Sequence, residues 1–430
     1  MLSERSLKPE QVEAIERLST RKTTLLVAPT DAGKTVICLS AIQRILAVEK
    51  LKRVIVACPA KVVGVWPKEV AKWPHLKGLI VKDLTGEPEI RSAKLDQPFI
   101  DVIVVSLNNL EWLLNQDHGA DGIIIDELSK AAGKQTKGLN TKVRGDCFKW
   151  RVGMSATPVS QDFEKLFTMC RRVDKGKAFG TNKNNYLNRY FYSDYMGYNW
   201  TLKEGAETLI LDQITKLVHM VGDTKEADLP KLTEEFIRFD MPDATRIAYK
   251  KMKKDMLVGD VEAVNAAVRD GKLRQLSSGF VYSEVKAIIE YDNARIDAAV
   301  DWWLSHKRPC VIFYEYVAQG EKLQSVFRKQ LSASVEEFIQ GKGKVLVAQI
   351  SSLSHGVDGL QFAHDALFFH PVWSRDQKEQ AIGRLWRTGQ QHEVAITTLV
   401  CDNTLDDVVV ARVEGRAEWM DLFTKHMEGR

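Results

Sequence analysis

TLLVAPTDAGKT, residues 24–35, is the stretch on which the fold of this chain turns. A short apolar run, Thr24–Ala28, passes through a loop into a helical pattern that starts at Thr35. Strand, tight loop and helix in that order build a phosphate cradle. A glycine lets the backbone close around an anion, and the N–H groups of the helix start face it. The GxxxxGKT spacing of a Walker A loop is met here except at its first position, where Ala28 replaces glycine. On this reading Thr30, Asp31, Ala32 and Gly33 wrap the phosphates, and Lys34 reaches the β- and γ-phosphates. Thr35 offers a hydroxyl to Mg²⁺. ATP and Mg²⁺ are the ligands this loop implies.

The same texture continues outward. Arg53–Ala57, Asp101–Val105, Gly122–Ile125 and Arg151–Met154 are short apolar or β-branched runs, with helical patterns such as Gln11–Leu18 and Val36–Val48 among them. Continuous apolar strands separated by helices predict a parallel sheet covered on both faces. Gly122–Ile125 runs straight into Asp126-Glu127. Two carboxylates at the end of a buried strand call for a cation. Asp126 is the expected metal-side group, and Glu127 the base that orients and activates water. Ser155 and Thr157, in MSATP (154–158), are small hydroxyl residues placed to link those carboxylates to movement elsewhere.

From Asp162 to about Leu229 the pattern changes: a helix is expected over Phe163–Met169, then an aromatic-rich run, Tyr186–Trp200. That run reads either as a small core or as a base-stacking surface. Beyond Glu235–Phe239 the strand–helix alternation returns with Cys310–Tyr314, Lys344–Ala348, Ala366–His370 and Val394–Leu399. Two domains follow, residues 1–235 with an insertion at about 162–229, and residues 236–430. Two lobes of similar texture imply a cleft, the usual place for a ligand.

Of the 430 residues, 44% are hydrophobic and 27% charged, and the net charge is +4. That permits a nucleic-acid partner without demanding one. No two of the six cysteines are spaced CxxC, so neither a zinc site nor a disulfide frame is expected. No run has the apolar length of a membrane span or a signal peptide. The expected setting is the cytoplasm of a bacterial or phage-infected cell, or the nucleus if the host is eukaryotic.

Together APTDAGKT (28–35), IIIDEL (123–128), MSATP (154–158) and QAIGRLWRTGQ (380–390) resemble the motors of helicase superfamily 2. Leu107–Trp112, LNRYF (187–191), LRQLSSG (273–279) and the ending Gly389-Gln390 narrow this to the SNF2-like (Swi2/Snf2) ATPases. The resemblance implies an α/β fold of two RecA-like lobes, each a mostly parallel sheet flanked by helices, with a helical insertion between motif III and motif IV. It places Gln11 against adenine, and Pro59, Lys61 and Trp66 in a stretch like motif Ia. Ser106 and Asn108 fall in motif Ib; both stretches face the nucleic-acid backbone in such motors. Motif V covers Gln349–Leu360, with Gln349 and Ser351 toward nucleic acid, and Gly356 and Asp358 bridging it to the nucleotide. Gln380, Arg384 and Arg387 match motif VI, the two arginines as fingers from the second lobe. Their i, i+4, i+7 spacing puts all three on one helix face. Where many relatives carry a histidine after motif II, Ser129 stands here, and motif V is less glycine-rich than usual.

A translocating motor needs sequence-independent phosphate contacts. Lys130–Arg144, with Lys130, Lys134 and Lys137, is the densest basic stretch. The leading expectation is an ATP-dependent translocase on double-stranded DNA that remodels or displaces protein or branched DNA. It would act as a monomer, with a DNA-bound protein as a further partner and no membrane. The alternatives are a strand-separating helicase on DNA or RNA, and an ATP-gated nucleic-acid-binding module with little turnover.

Overall fold

The computed structural model describes residues 6–29, 32–48, 50–128, 148–155, 163–195, 200–221, 229–353, 359–387 and 389–411. The chain divides into two compact units, the first within residues 1–223 and the second within 224–417.

In the first unit the apolar runs become β1 (Thr23–Val27), β2 (Val54–Cys58), β3 (Val81–Asp83), β4 (Val102–Ser106), β5 (Gly122–Ile125) and β6 (Trp150–Ser155). After them come a short hairpin, β7 (Phe191–Ser193) with β8 (Trp200–Leu202), and a last strand, β9 (Val218–Met220). Seven strands form one sheet in the order β3-β4-β2-β5-β6-β1-β9, every neighbouring pair parallel. VIVAC (54–58) and VIVVS (102–106) are buried at every residue, because helices cover both faces of the sheet. Alternate residues serve two cores: Leu25, Val27, Ile55 and Ala57 face one, Leu26, Val54 and Val56 the other.

Helices Phe163–Asp174, Lys183–Tyr190 and Ala206–Ile214 follow β6. The aromatic stretch divides. Tyr186, Tyr190 and Phe191 join the first core, and the Tyr186 hydroxyl donates to Phe163 O at 2.8 Å. Tyr192 and Tyr195 are exposed. This segment closes on β9, which pairs with β1, so its end belongs to the first sheet.

The second unit opens on β10 (Leu232–Phe239). Two antiparallel hairpins follow, β11 (Leu257–Val258) with β12 (Val261–Glu262) and β13 (Phe280–Tyr282) with β14 (Ile288–Glu290). Then come β15 (Cys310–Tyr314), β16 (Val345–Gln349), β17 (Asp365–Phe368) and β18 (Val394–Cys401). The sheet order is β10-β18-β17-β15-β16, all parallel. β10 pairs with β18 along its whole length, so the 235/236 boundary expected from sequence falls inside a strand of the second sheet. Among the described residues no helix is long and apolar enough to cross a membrane.

Under the C-terminal ends of β15, β17 and β18 lies a buried polar network. Arg295 and Asp406, both fully buried, form an ion pair. The guanidinium also donates to Ser277 O, Phe369 O and Leu399 O at 2.9, 2.6 and 3.2 Å. His370 lies 3.5 Å from Asp406 and bonds to Ser278, which accepts from Gln319 at 2.8 Å. Burial pushes His370 down to about 3; Arg295 and Arg274 add to this, and Asp406 opposes it. An unfolded histidine takes its proton near pH 6.5. Between that pH and about 3 the unfolded chain therefore binds the extra proton, and stability falls as pH falls. Asp406, held well below the usual carboxylate range against burial, chiefly by Arg295, begins to lose its own contribution only at the acid end of that window, below about pH 4. We expect His370→Gln to flatten the loss of stability between pH 6.5 and 4, which at its steepest is about 1.4 kcal/mol per pH unit. Urea denaturation at pH 7.5 and 5.0 checks this; parallel curves for the two proteins would refute it.

Candidate functional site

Three neighbouring strands, β5, β6 and β1, lead into the phosphate loop, Asp126-Glu127 and the MSATP stretch. Val27 pairs with Ser155 and Ile125 with Gly153, so the residues that follow these strands emerge along one sheet edge. That edge, at the carboxyl ends of parallel strands, is where α/β sheets bind ligands. The Ala28 N–H donates to Ser155 O at 3.1 Å, stitching the start of the phosphate loop to the end of β6.

Gly33 has φ 80 and forms the N-cap of helix Lys34–Ala47. A Cβ there would lie 2.5 Å from Gln11 Nε2. Glycine is favoured by this left-handed backbone, and a Cβ would also push the Gln11 amide aside. Gln11, on helix Pro9–Thr20, donates to Ala32 O at 2.9 Å and accepts from Lys8 N at 2.9 Å. The residue that the resemblance sets against adenine is thus tied to the phosphate loop itself. The Lys34 ammonium bonds to Ala28 O and Pro29 O at 2.7 and 2.9 Å. A phosphate oxygen presents the same acceptor chemistry. The Cβ-free cradle, the lysine above it and the helix start fit a nucleoside triphosphate. Thr35 and Asp126 supply the oxygen donors that Mg²⁺ prefers.

Asp126 continues β5, its N–H donating to Ala57 O at 2.8 Å. Glu127 then turns to φ 50, a left-handed backbone uncommon outside glycine. Its N–H donates to Asp126 Oδ1 at 2.9 Å. Strain of this kind costs of order 1–3 kcal/mol and gathers at functional residues. Burial pushes the Cys38 and Cys58 thiols up, and the Asp126 carboxylate adds to both; at Cys38 the Lys34 ammonium opposes it. One buried sulfur thus feels both the phosphate-loop lysine and the motif II carboxylate.

The residues expected to face nucleic acid differ in exposure. Lys61 is exposed in the turn Ala60–Val62 after β2, and Asn108 is exposed in the turn Leu107–Asn109 after β4. Ser106 ends β4 and is buried. Trp66 is fully buried in the core, so it anchors helix Val65–Lys72 instead of facing a backbone. Thr30, Asp31, Thr157, Gly356, Asp358 and the stretch Lys130–Arg144, with Lys130, Lys134 and Lys137, lie outside the described residues.

In the second unit Gln349 ends β16 and donates to Glu315 O at 2.9 Å; Ser351, itself exposed, follows in the short helix Ile350–Leu353. Helix Arg375–Leu385 carries buried Gln380 and half-buried Arg384 one turn apart. Arg387 does not share that face. The helix ends at Leu385, and its C-cap Trp386 leaves the helical region with φ −95, ψ 85. The Trp386 indole donates to Pro230 O at 2.6 Å, which fixes the exit.

Gln390, in the Gly389-Gln390 ending, is a structural knot. Its amide donates to Ala363 O and Leu385 O, each at 3.1 Å. Its carbonyl accepts from the N–H groups of Gln391 and His392, each at 2.9 Å. Its backbone N–H bonds to Arg387 O at 2.9 Å, so the knot holds the loop on which Arg387 stands.

A family model described as SNF2-related domain matches residues 11–287. Protein p41 of Acyrthosiphon pisum secondary endosymbiont phage 1 is 27% identical over 453 residues, covering 98% of each chain. The Transcription regulatory protein SNF2 of Saccharomyces cerevisiae is 22% identical over 88% of this chain, which spans 25% of that protein. Among solved structures, the Pyrococcus furiosus Hef helicase domain superposes with a TM-score of 0.56 at 15% identity. It covers 96% of this chain and 100% of that one, a likeness of fold.

Proposed function

This chain belongs to the SNF2-related domain family, and from that premise we propose that it hydrolyses ATP to travel along double-stranded DNA, remodelling or displacing what is bound there. The observation that carries this reading is the shared edge of β1, β5 and β6. It brings the Lys34 loop, Asp126-Glu127 and Ser155 together. A fixed anion cradle beside two carboxylates is suited to phosphoryl transfer to water, where positioning and charge supply most of the rate.

Lys34 binds the β- and γ-phosphates, and Glu127 holds the attacking water and accepts its proton. Mg²⁺, held through Thr35 and Asp126, would neutralise charge on the phosphate oxygens. Arg384 and Arg387 stabilise the charge that builds on the γ-phosphoryl group. ATP and DNA need only bind one arrangement of the two units better than another for turnover to drive movement. Lys61, Ser106, Asn108, Gln349 and Ser351 are the proposed backbone contacts, with Lys130, Lys134 and Lys137. Similarity to a phage protein supports a bacterial or phage setting, and with it the cytoplasm.

A strand-separating reading would rest on the β13–β14 hairpin, where Val285 at the turn is 85% exposed. Two assays on the same preparation decide. A duplex translocase displaces a triplex-forming strand from blunt duplex in an ATP-dependent way and leaves forked duplex paired. Fork unwinding without triplex displacement would overturn the proposal in favour of a helicase.

A further inference from the structure

The second unit begins at Thr224, and β10 is its first strand. β10 lies at the edge of its sheet, with β18 as its partner. Helix Arg375–Leu385, which carries Arg384 and leads into Arg387, is fastened to this entering segment at both ends. Near its start Lys378 forms an ion pair with Glu234. At its end the Trp386 indole donates to Pro230 O at 2.6 Å, and its ring packs beside Leu232 on one core. Neighbouring side chains of β10 face opposite ways. Glu235 accepts from Thr397 on one side, and Glu234 reaches the arginine helix on the other. The spacings agree. Eight helical residues from Lys378 to Trp386 rise about 12 Å. Four extended residues from Pro230 to Glu234 span about 13 Å. The late helix residue meets the early strand residue, so helix and entering segment run antiparallel.

Neither bond does much for stability. Lys378 is 13% exposed and Glu234 46%, and a pair of this kind contributes roughly 0–1 kcal/mol. One indole hydrogen bond contributes about 1 kcal/mol. Their effect on position is larger, since a catalytic group displaced by about 1 Å can lose about 10²-fold in rate. We infer that Trp386 is a positioning residue for Arg387, and that the Lys378–Glu234 pair holds the same helix in place for Arg384. The chain that joins the two units thus reaches both arginines through one indole and one ion pair. This role presupposes the ATPase reading above, with Arg384 and Arg387 acting on the γ-phosphoryl group.

Steady-state ATP hydrolysis by the full chain, with saturating blunt duplex, tests it. Trp386→Phe keeps a ring and removes the indole N–H. It should lower kcat about 10-fold and leave KM for ATP unchanged, because the arginines meet charge that builds only in the transition state. Arg387→Ala should lower kcat by itself, and adding Trp386→Phe to it should lower kcat no further, as for two residues that act through one group. Glu234→Lys sets two ammonium groups against each other and should lower kcat about 10-fold with KM unchanged. Lys378→Glu in the same chain remakes the pair in reverse and should restore kcat. Losses from Trp386→Phe and Arg387→Ala that simply multiply would overturn the role of the indole. A reversed pair no faster than Glu234→Lys alone would overturn the role of the ion pair, and it decides even where Trp386→Phe fails to fold. Arg387→Ala with full kcat would instead remove the finger reading at that residue, and the role of Trp386 with it.

Discussion

Arg384→Ala should lower kcat by about 10³–10⁵-fold while ATP still binds, the loss expected when an arginine meets the γ-phosphoryl oxygens only as charge builds on them. Its direction is set by a helix whose inner face, Ala381, Ile382 and Leu385, is buried and whose start is capped by Ser374. Truncation beyond Cβ leaves those contacts in place, so folding should survive. Arg387 stands past the helix end on the loop knotted by Gln390, so its share is read separately, from Arg387→Ala. Arg384→Lys should recover little, since a point charge does not reproduce a planar fork. Steady-state hydrolysis beside binding of a fluorescent ATP analogue reads this. A kcat within tenfold of the unaltered chain would remove Arg384 from the catalytic set.

Glu127→Gln should reduce turnover by about 10²–10⁴-fold, the range for a positioned general base, with nucleotide affinity unchanged. The substitution is nearly isosteric. The unusual φ of 50 is held by the backbone bond from Glu127 N to Asp126 Oδ1, which glutamine keeps. Only the ability to take a proton from water is lost. Single-turnover hydrolysis separates this from slow product release. A normal single-turnover rate would mean another group activates the water.

The central strands were legible because burial on both faces writes itself as uninterrupted apolar runs. VIVAC, VIVVS and GIII are such runs. The phosphate loop was legible because its glycine, lysine and threonine are adjacent in sequence. Edge elements were not. β3 is three half-buried residues, VKD, and β9 is VHM; neither has length or alternation enough to stand out. Features set by distant contacts were hidden for a different reason. The helix bearing Arg384 stops before Arg387 where Trp386 finds Pro230, 156 positions away. Arg295 and Asp406 meet across 111 positions, and nothing local marks either as buried. Trp66 sat in a motif expected to face nucleic acid, but with Val65 before it and Lys68 and Glu69 after it the local pattern gives no sign of which way the indole points.

One coupling is central to the proposal: ATP held by Lys34 should be hydrolysed faster when the chain is on DNA. Steady-state ATP hydrolysis by the purified chain, with and without blunt duplex at low salt, measures it directly. The expected result is a stimulation of tenfold or more by duplex, which fades as salt rises because phosphate contacts release counterions. Bound ATP with a rate indifferent to duplex would contradict it.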